Sequence, residues 1–204
     1  MTLRCATWGM SSRGNRVRDV GAYMLHASAW RETSLILQIF SREHGVVAMV
    51  AKGAKRPYSA LRPVLAAFQP LIVSWTGGGE VKTLTRADLA GIRPLTGKSL
   101  MSAWYMNELL LRLLPREDAH PGLYDAYDGA LMALGEGGSA ASALRRFEWT
   151  LLEETGYGFE GEPPQFENAE EERHMRGILR ARLDELLGRP LRTREVMHDL
   201  QRYS

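Results

Sequence analysis

Lys52, Lys55 and Arg56 crowd into the stretch VAKGAKRPYSALRP, Val50 to Pro63, with Tyr58 beside them and Arg62 just beyond. Cationic groups held this close repel one another, so the arrangement is costly unless a polyanion shares the space. The chemistry open to such a loop is phosphate binding, with Lys as a point charge and Arg as a planar fork of donors. An aromatic ring in the same loop adds a face for a nucleobase, and stacking is worth about 1 to 3 kcal/mol per base. Tyr58, in a proline-containing loop, suits that role, whereas Phe68 and Trp75 read as core residues. Lys82 and Arg86 are two steps of alternation apart on a candidate strand, which would put both on one face and extend the patch.

Bond-making chemistry finds less support. GAKRPYS lacks the spacing of a phosphate-cradling loop, and TGGGEV, Thr76 to Val81, precedes a strand where a helix N-terminus would be needed. The five histidines, His26, His44, His120, His174 and His198, are scattered, and none stands in a His-Glu-x-x-His frame. Glu117, Asp118 and His120 do gather, but Pro115 and Pro121 bracket them, which reads as a polar turn between two helices. Cys5 stands alone, which fits a reducing compartment and leaves no Cys-rich zinc site. No catalytic residue and no metal or other cofactor is expected.

Charge is unevenly spread. The formal net charge is +2, yet residues 1–95 carry +8, residues 96–160 carry −5 and residues 161–204 carry −1. A basic first part joined to an acidic middle suggests separate tasks, with a polyanion as partner of the first. No apolar run approaches the roughly 20 residues that a membrane-crossing helix needs, and the start of the chain lacks a signal-peptide core. The expectation is a cytoplasmic protein.

The elements that must position these residues change character along the chain. Ala22–Ala29, Thr33–Phe40, Gly45–Ala51, Leu71–Trp75 and Glu80–Thr85 are short, branched and apolar, with Gly45, Gly53 and Gly77 to Gly79 supplying turns. Five strands in so short a span suggest a small barrel, since an open sheet would leave edges exposed. After Pro94 the period lengthens to that of helices: Leu100–Leu114 with a Glu108–Arg112 pair, Pro121–Leu134, Ser139–Glu154, Glu170–Leu187 and Thr193–Tyr203. Phe159 to Asn168, FEGEPPQFEN, reads as an irregular connection. The expected class is α+β: residues 1–19 a basic, disordered arm, 20–95 the barrel, and 96–204 the helical part.

Several motifs, in order, resemble the RecO family of bacterial recombination mediators. They are WRETSLILQIFSREHGVVAMVAKGAKRPYSALRP and its continuation to Leu89, then YMNELLLRLLPRED, LRRFEWTLLEETGYG and GRPLRTREV. The resemblance implies an OB-fold followed by a helical domain. It also implies a non-enzymatic protein that binds single- and double-stranded DNA, anneals complementary strands, and with RecR helps load RecA onto DNA coated by single-stranded DNA-binding protein, associating with the nucleoid during repair. The DNA surface it implies is the loop Lys52, Lys55 and Arg56, with Arg31, Arg62 and Lys82 as neighbours. It further implies that the helical domain receives the acidic C-terminal tail of the single-stranded DNA-binding protein, and the matching segment is LRRFE. There Arg145 and Arg146 are candidates for the terminal carboxylate, Arg145 the preferred one, with Leu144, Phe147 and Leu151 lining an apolar pocket. The longer, cysteine-bearing insert that follows Gly158 in some members is replaced by about ten residues without Cys, so zinc is not expected. The competing reading is a protein-docking adaptor with only incidental DNA affinity.

Overall fold

A computed structural model describes residues 15–137 and 139–196. Five strands form first: β1 (Arg16–Trp30), β2 (Ser34–Ser41), β3 (Gly45–Ala51), β4 (Pro70–Thr76) and β5 (Val81–Leu89). They close in the order β1-β2-β3-β5-β4, with β3 and β5 parallel and the other pairs antiparallel. Closure leaves no long unpaired edge. Residues two apart share a face, so Ala22 and Met24, Leu37 and Ile39, Val47 and Met49, and Leu71, Val73 and Trp75 fill the interior. The register shifts between Val17 and Val20 and again between Met24 and His26, two irregularities of the kind that bend a strand so it can serve two neighbours.

β1 begins at Arg16, so Arg16 to Asp19, assigned from sequence to a disordered arm, are in the barrel. There Asp19 N–H donates to Ser74 Oγ at 3.0 Å. The remainder of that arm lies outside the described residues, apart from Asn15, whose carbonyl accepts from Gly77 N–H.

Four helices follow: α1 (Gly97–Leu113), α2 (Pro121–Gly135), α3 (Ala140–Glu154) and α4 (Ala169–Leu187). Their ends carry recognisable signals. Pro121 opens α2, Ser139 and Asn168 cap α3 and α4 with side-chain oxygens, and Gly188 closes α4 at φ 60°. Residues 192–196 are helical, and the rest of the helix expected to Tyr203 lies outside the described residues.

A second core lies between the barrel and the helices. Tyr23 and Leu25, on the outer face of β1, pack with Phe40 and Val46 against Tyr127, Leu131 and Phe147. That is why Ala22 to Leu25 is an unbroken apolar run: its alternate members face two different interiors. Polar bonds fix the junction. Arg42 forks onto Asp125 at 2.9 and 2.8 Å, and Arg93 reaches Asp128 at 2.9 Å. The turn Glu117 to His120 is structural: Glu117 N–H donates to Val46 O, and His120 lies between Glu154 at 3.2 Å and Asp118 at 3.6 Å. Gly45, at φ 63°, sits so close to this turn that a Cβ there would overlap the Asp118 carbonyl.

Candidate nucleic-acid interface

The three-residue turn between β1 and β2 is the foundation of the basic surface. The loop that leaves β3 folds back onto it: Lys55 N–H donates to Thr33 O at 2.9 Å, and Gly53 N–H to Ser34 Oγ at 3.4 Å. Ala54 inserts into the barrel core, and Leu61, Val64 and Leu65 pack partly against it, so the loop is anchored on both sides of its cations. Consecutive turns, Arg56 N–H to Gly53 O, Ser59 N–H to Arg56 O and Arg62 N–H to Ser59 O, keep it compact. Arg31 is thereby brought to Lys52 and Arg56. The three line a hollow of about 860 Å³ with Trp30, Glu32, Val50, Val81 and Lys82.

Arg31, Lys52, Lys55, Arg56 and Arg62 are all exposed, and among the described residues none of them forms an ion pair. Elsewhere the arginines are mostly paired, as Arg42, Arg93 and Arg112 are. Glu32 is the one carboxylate among the residues lining the hollow. The hollow therefore presents net positive charge in a concave, anchored setting, which focuses potential toward an incoming anion. Its walls are the outer face of β1, β2, β3 and β5 together with the β1–β2 turn, the region where small barrels of this topology hold oligonucleotides. Arg31 has a left-handed φ of 52°, uncommon for a bulky residue, as do Asp19, Phe68 and Glu117 among the described residues.

Two expected members are held by carboxylates of the chain itself. Lys82 lines the hollow but is only 8% exposed, and its ammonium is taken up by both Glu117 oxygens at 2.8 and 2.9 Å and by Gly79 O at 2.8 Å. Arg86 is on the surface but pairs with Asp88 at 2.6 Å and approaches Asp19 at 3.8 Å. The two do not share a face because the β4–β5 register slips at Ser74/Trp75, passing over Thr85, and a one-residue slip turns later side chains to the other side. Tyr58 is fully exposed, as a loop aromatic should be, while Phe68 and Trp75 are buried against Trp104 and His44. Trp30 went unnoticed in the sequence. It is 44% exposed and lines the hollow; its signal was the pair Trp30-Arg31 at a strand end beside a turn.

A second concavity, of about 830 Å³, lies between α2 and α3 and is lined by Ala130, Arg146, Trp149, Phe166 and Glu167 among others. The segment Pro163 to Glu167 forms one wall, with Phe166 buried and Glu167 paired to Arg146.

Matches to known proteins cover both parts. The family model for the recombination protein O N-terminal region matches residues 18–93, and that for its C-terminal region matches residues 95–163. A DNA repair protein RecO of Ralstonia nicotianae is 46% identical over 195 residues, covering 92% of this chain and 72% of that protein. The chain belongs to the RecO family. Another RecO, from Aromatoleum aromaticum, is 60% identical over 148 residues, 72% of this chain and 62% of its own length; one from Azoarcus sp. is 54% identical over 146 residues, 71% and 60%. The chain thus spans about three fifths of the length of these two relatives. The first RecO model coincides with the barrel and the second with α1 to α3 and the connection after them, and the barrel is the OB-fold that the resemblance implies.

Within this RecO-family framework the arginine pair resolves against the sequence preference. Arg145 is 7% exposed and bonds to Glu148 at 2.5 Å and Glu172 at 3.4 Å, while Tyr105 donates to the same Glu148 oxygen at 2.7 Å. Burial pushes the Glu148 carboxyl up, against the pull of the Arg145 guanidinium and the Tyr105 hydroxyl. Arg145 is therefore engaged in an internal network and has no face to offer a partner. Phe147 and Leu151 are fully buried core residues, and Leu144 packs partly against that core. None of the three is among the residues lining the groove; Arg146 is. The wall residues that sequence reasoning missed are Trp149, buried with its indole N–H unpartnered, and Phe166, supplied by the irregular connection.

Proposed function

We propose that this chain is a DNA-binding recombination mediator that holds single- and double-stranded DNA on the outer face of its barrel and anneals complementary strands. The observation that carries the reading is the gathering of Arg31, Lys52 and Arg56 around one hollow, with Lys55, Tyr58 and Arg62 on the same anchored loop, and with no ion pair to neutralise any of the cations among the described residues. Annealing by such a surface is physical. Cations hold two strands near each other and screen their mutual repulsion, so pairing is accelerated without any bond being made or broken. Lys82 and Arg86 take no part.

The same proposal assigns residues 20–95 to DNA and 96–204 to protein partners. In it the α2–α3 groove receives the acidic tail of the single-stranded DNA-binding protein, with Arg146 in place of Arg145 on the carboxylate. RecR is the second partner, and loading of RecA onto coated DNA is the outcome.

The deciding experiment is annealing of complementary oligonucleotides, bare and coated by single-stranded DNA-binding protein, with Lys52, Lys55 and Arg56 replaced by Ala as control. Loss of annealing on bare strands supports the proposal. Neutralising five phosphates would make log affinity for single strands fall with log salt at a slope of about −3.5. A flat salt response, or full annealing by the triple variant, rejects the loop as the phosphate site. The second reading, a docking adaptor that uses only the groove of about 830 Å³, differs in predicting that the triple variant anneals normally.

A further inference from the structure

We infer that Trp30 is a base-stacking platform, and that through it the barrel face prefers unpaired to paired DNA. The inference rests on the DNA-binding reading above and names the residue that would give that site its selectivity.

Trp30 is the last residue of β1, where the strand enters the turn that carries Arg31. The other β-strand aromatics, Tyr23, Phe40 and Trp75, are buried and packed against further rings, whereas Trp30 takes part in none of the aromatic pairs among the described residues. A large apolar ring left 44% open at the rim of a charged hollow makes little contribution to the fold and a large one to any planar ligand. Its surroundings identify that ligand. Arg31, Lys52 and Arg56 line the same hollow, so the ligand carries anionic groups beside its planar ones. The Arg31 guanidinium lies 5.9 Å from the Trp30 ring centroid, within the range of a cation–π contact. That geometry is reached through a left-handed backbone at φ 52°, a conformation that persists only where the surroundings hold it. An indole with a guanidinium at one side and phosphate-binding cations nearby is the arrangement that takes one base of a nucleotide strand.

Discrimination follows from access. Phosphates are presented alike by single strands and duplexes, so the cations alone distinguish them poorly. A base inside a duplex is already stacked and paired, and bringing it to the indole requires unstacking it. Only an unpaired base reaches Trp30 without that cost.

The test measures binding of the full chain to fluorescein-labelled oligothymidine, to an abasic strand of the same length and to a duplex, each over a salt series. Trp30→Ala is expected to weaken oligothymidine binding about 5- to 150-fold. It should leave the salt slope unchanged and duplex affinity within about twofold, and Trp30→Phe should retain most of the affinity. The wild-type chain should bind the abasic strand about as weakly as Trp30→Ala binds oligothymidine, an arm that needs no variant to fold. Equal losses on oligothymidine and duplex overturn the inference, and so does wild-type affinity in Trp30→Ala. If either occurs while the Lys52, Lys55 and Arg56 triple variant still loses binding, the stacking role fails and the DNA-binding reading stands. If the wild-type chain binds none of the three probes, both fall.

Discussion

The side-chain amide of Asn107, on α1, donates to the carbonyl of Leu25, on β1, at 2.9 Å. Leu25 is the residue passed over where the β1–β2 register shifts, so no residue of β2 stands opposite it. Asn107 supplies a donor from the helical side, and the Tyr127 hydroxyl in turn donates to Asn107 Oδ1 at 2.6 Å. All of this is buried. An irregularity in the barrel is thus completed by a residue of the helices, which joins the two parts through a bond that neither could make alone.

Asn107→Leu should therefore be far more damaging than its shape suggests. It strands a buried carbonyl and a buried hydroxyl, each costing about 1 to 3 kcal/mol when unsatisfied. Urea unfolding should show a loss of at least about 2 kcal/mol. A loss under 0.5 kcal/mol would mean that water or a shifted backbone replaces the amide.

Lys82 offers the opposite prediction. Because its ammonium is enclosed by Glu117 and the Gly79 carbonyl, Lys82→Met should leave DNA affinity and its salt slope unchanged while lowering stability by about 1 to 3 kcal/mol. Binding measured by anisotropy and stability measured by denaturation separate the two effects. A slope reduced by roughly 0.7 would return Lys82 to the phosphate site.

These two cases show what was legible in the sequence. The strands and most helix bounds could be read, because alternation, Pro121, Ser139 and Gly188 are local signals. Lys52, Lys55 and Arg56 could be read as a group because neighbours on one loop stay together whatever the fold. Lys82 could not, since its direction depends on strand register and its partner lies 35 residues away. Arg145 and Arg146 point to different sides of α3, and which side is buried depends on how α4 packs there, where Glu172, 27 residues further on, joins the nearer Glu148 on Arg145. Trp30 was hidden for a related reason: an apolar residue at a strand end looks like core until the sheet shows that nothing covers it.

Arg31→Gly separates stability from function at the turn. Glycine adopts φ 52° without steric cost, so the variant should be as stable as the parent or up to about 1 kcal/mol more so. Removal of one phosphate-binding cation should nevertheless weaken single-strand binding and lower the salt slope by about 0.7. A variant that is stabilised and binds as before would show that the strained backbone serves the turn alone.

In the helical groove, Glu167 of the chain's own connection occupies Arg146, and both side chains are largely exposed. An exposed pair contributes little to stability, so Glu167→Ala should change unfolding free energy by less than about 1 kcal/mol. It should raise affinity for an acidic peptide ending in an apolar residue by a few-fold, and Arg146→Ala should abolish that gain. Calorimetry on the two single variants and the double variant measures the coupling. No change in Glu167→Ala would mean that the peptide, if bound, does not use Arg146.

Acid should release the C-terminal segment before it unfolds the barrel. Glu108 accepts from the N–H groups of Arg192 and Thr193, both at 2.9 Å, and from the Thr193 hydroxyl at 2.8 Å, and it pairs with Arg112 at 3.0 Å. Burial opposes its charge, but the backbone donors of Thr193 and Arg192, the Thr193 hydroxyl and the Arg112 guanidinium outweigh it and hold the carboxyl below its ordinary 4.5. A carboxylate with a depressed folded value binds fewer protons when folded than when unfolded. Its stabilising contribution is therefore complete above about pH 4.5 and is lost as pH falls through the depressed value. Hydrogen exchange over residues 189–196, corrected for intrinsic rates, should accelerate in that window while β1 to β3 stay protected. Glu108→Gln keeps an acceptor but removes the charge, so the segment should already exchange faster at pH 7, by about 5- to 30-fold, and lose most of its acid response. An acid response unchanged in Glu108→Gln would assign the release to other carboxylates on α4, Asp184 foremost, which pairs with Arg194.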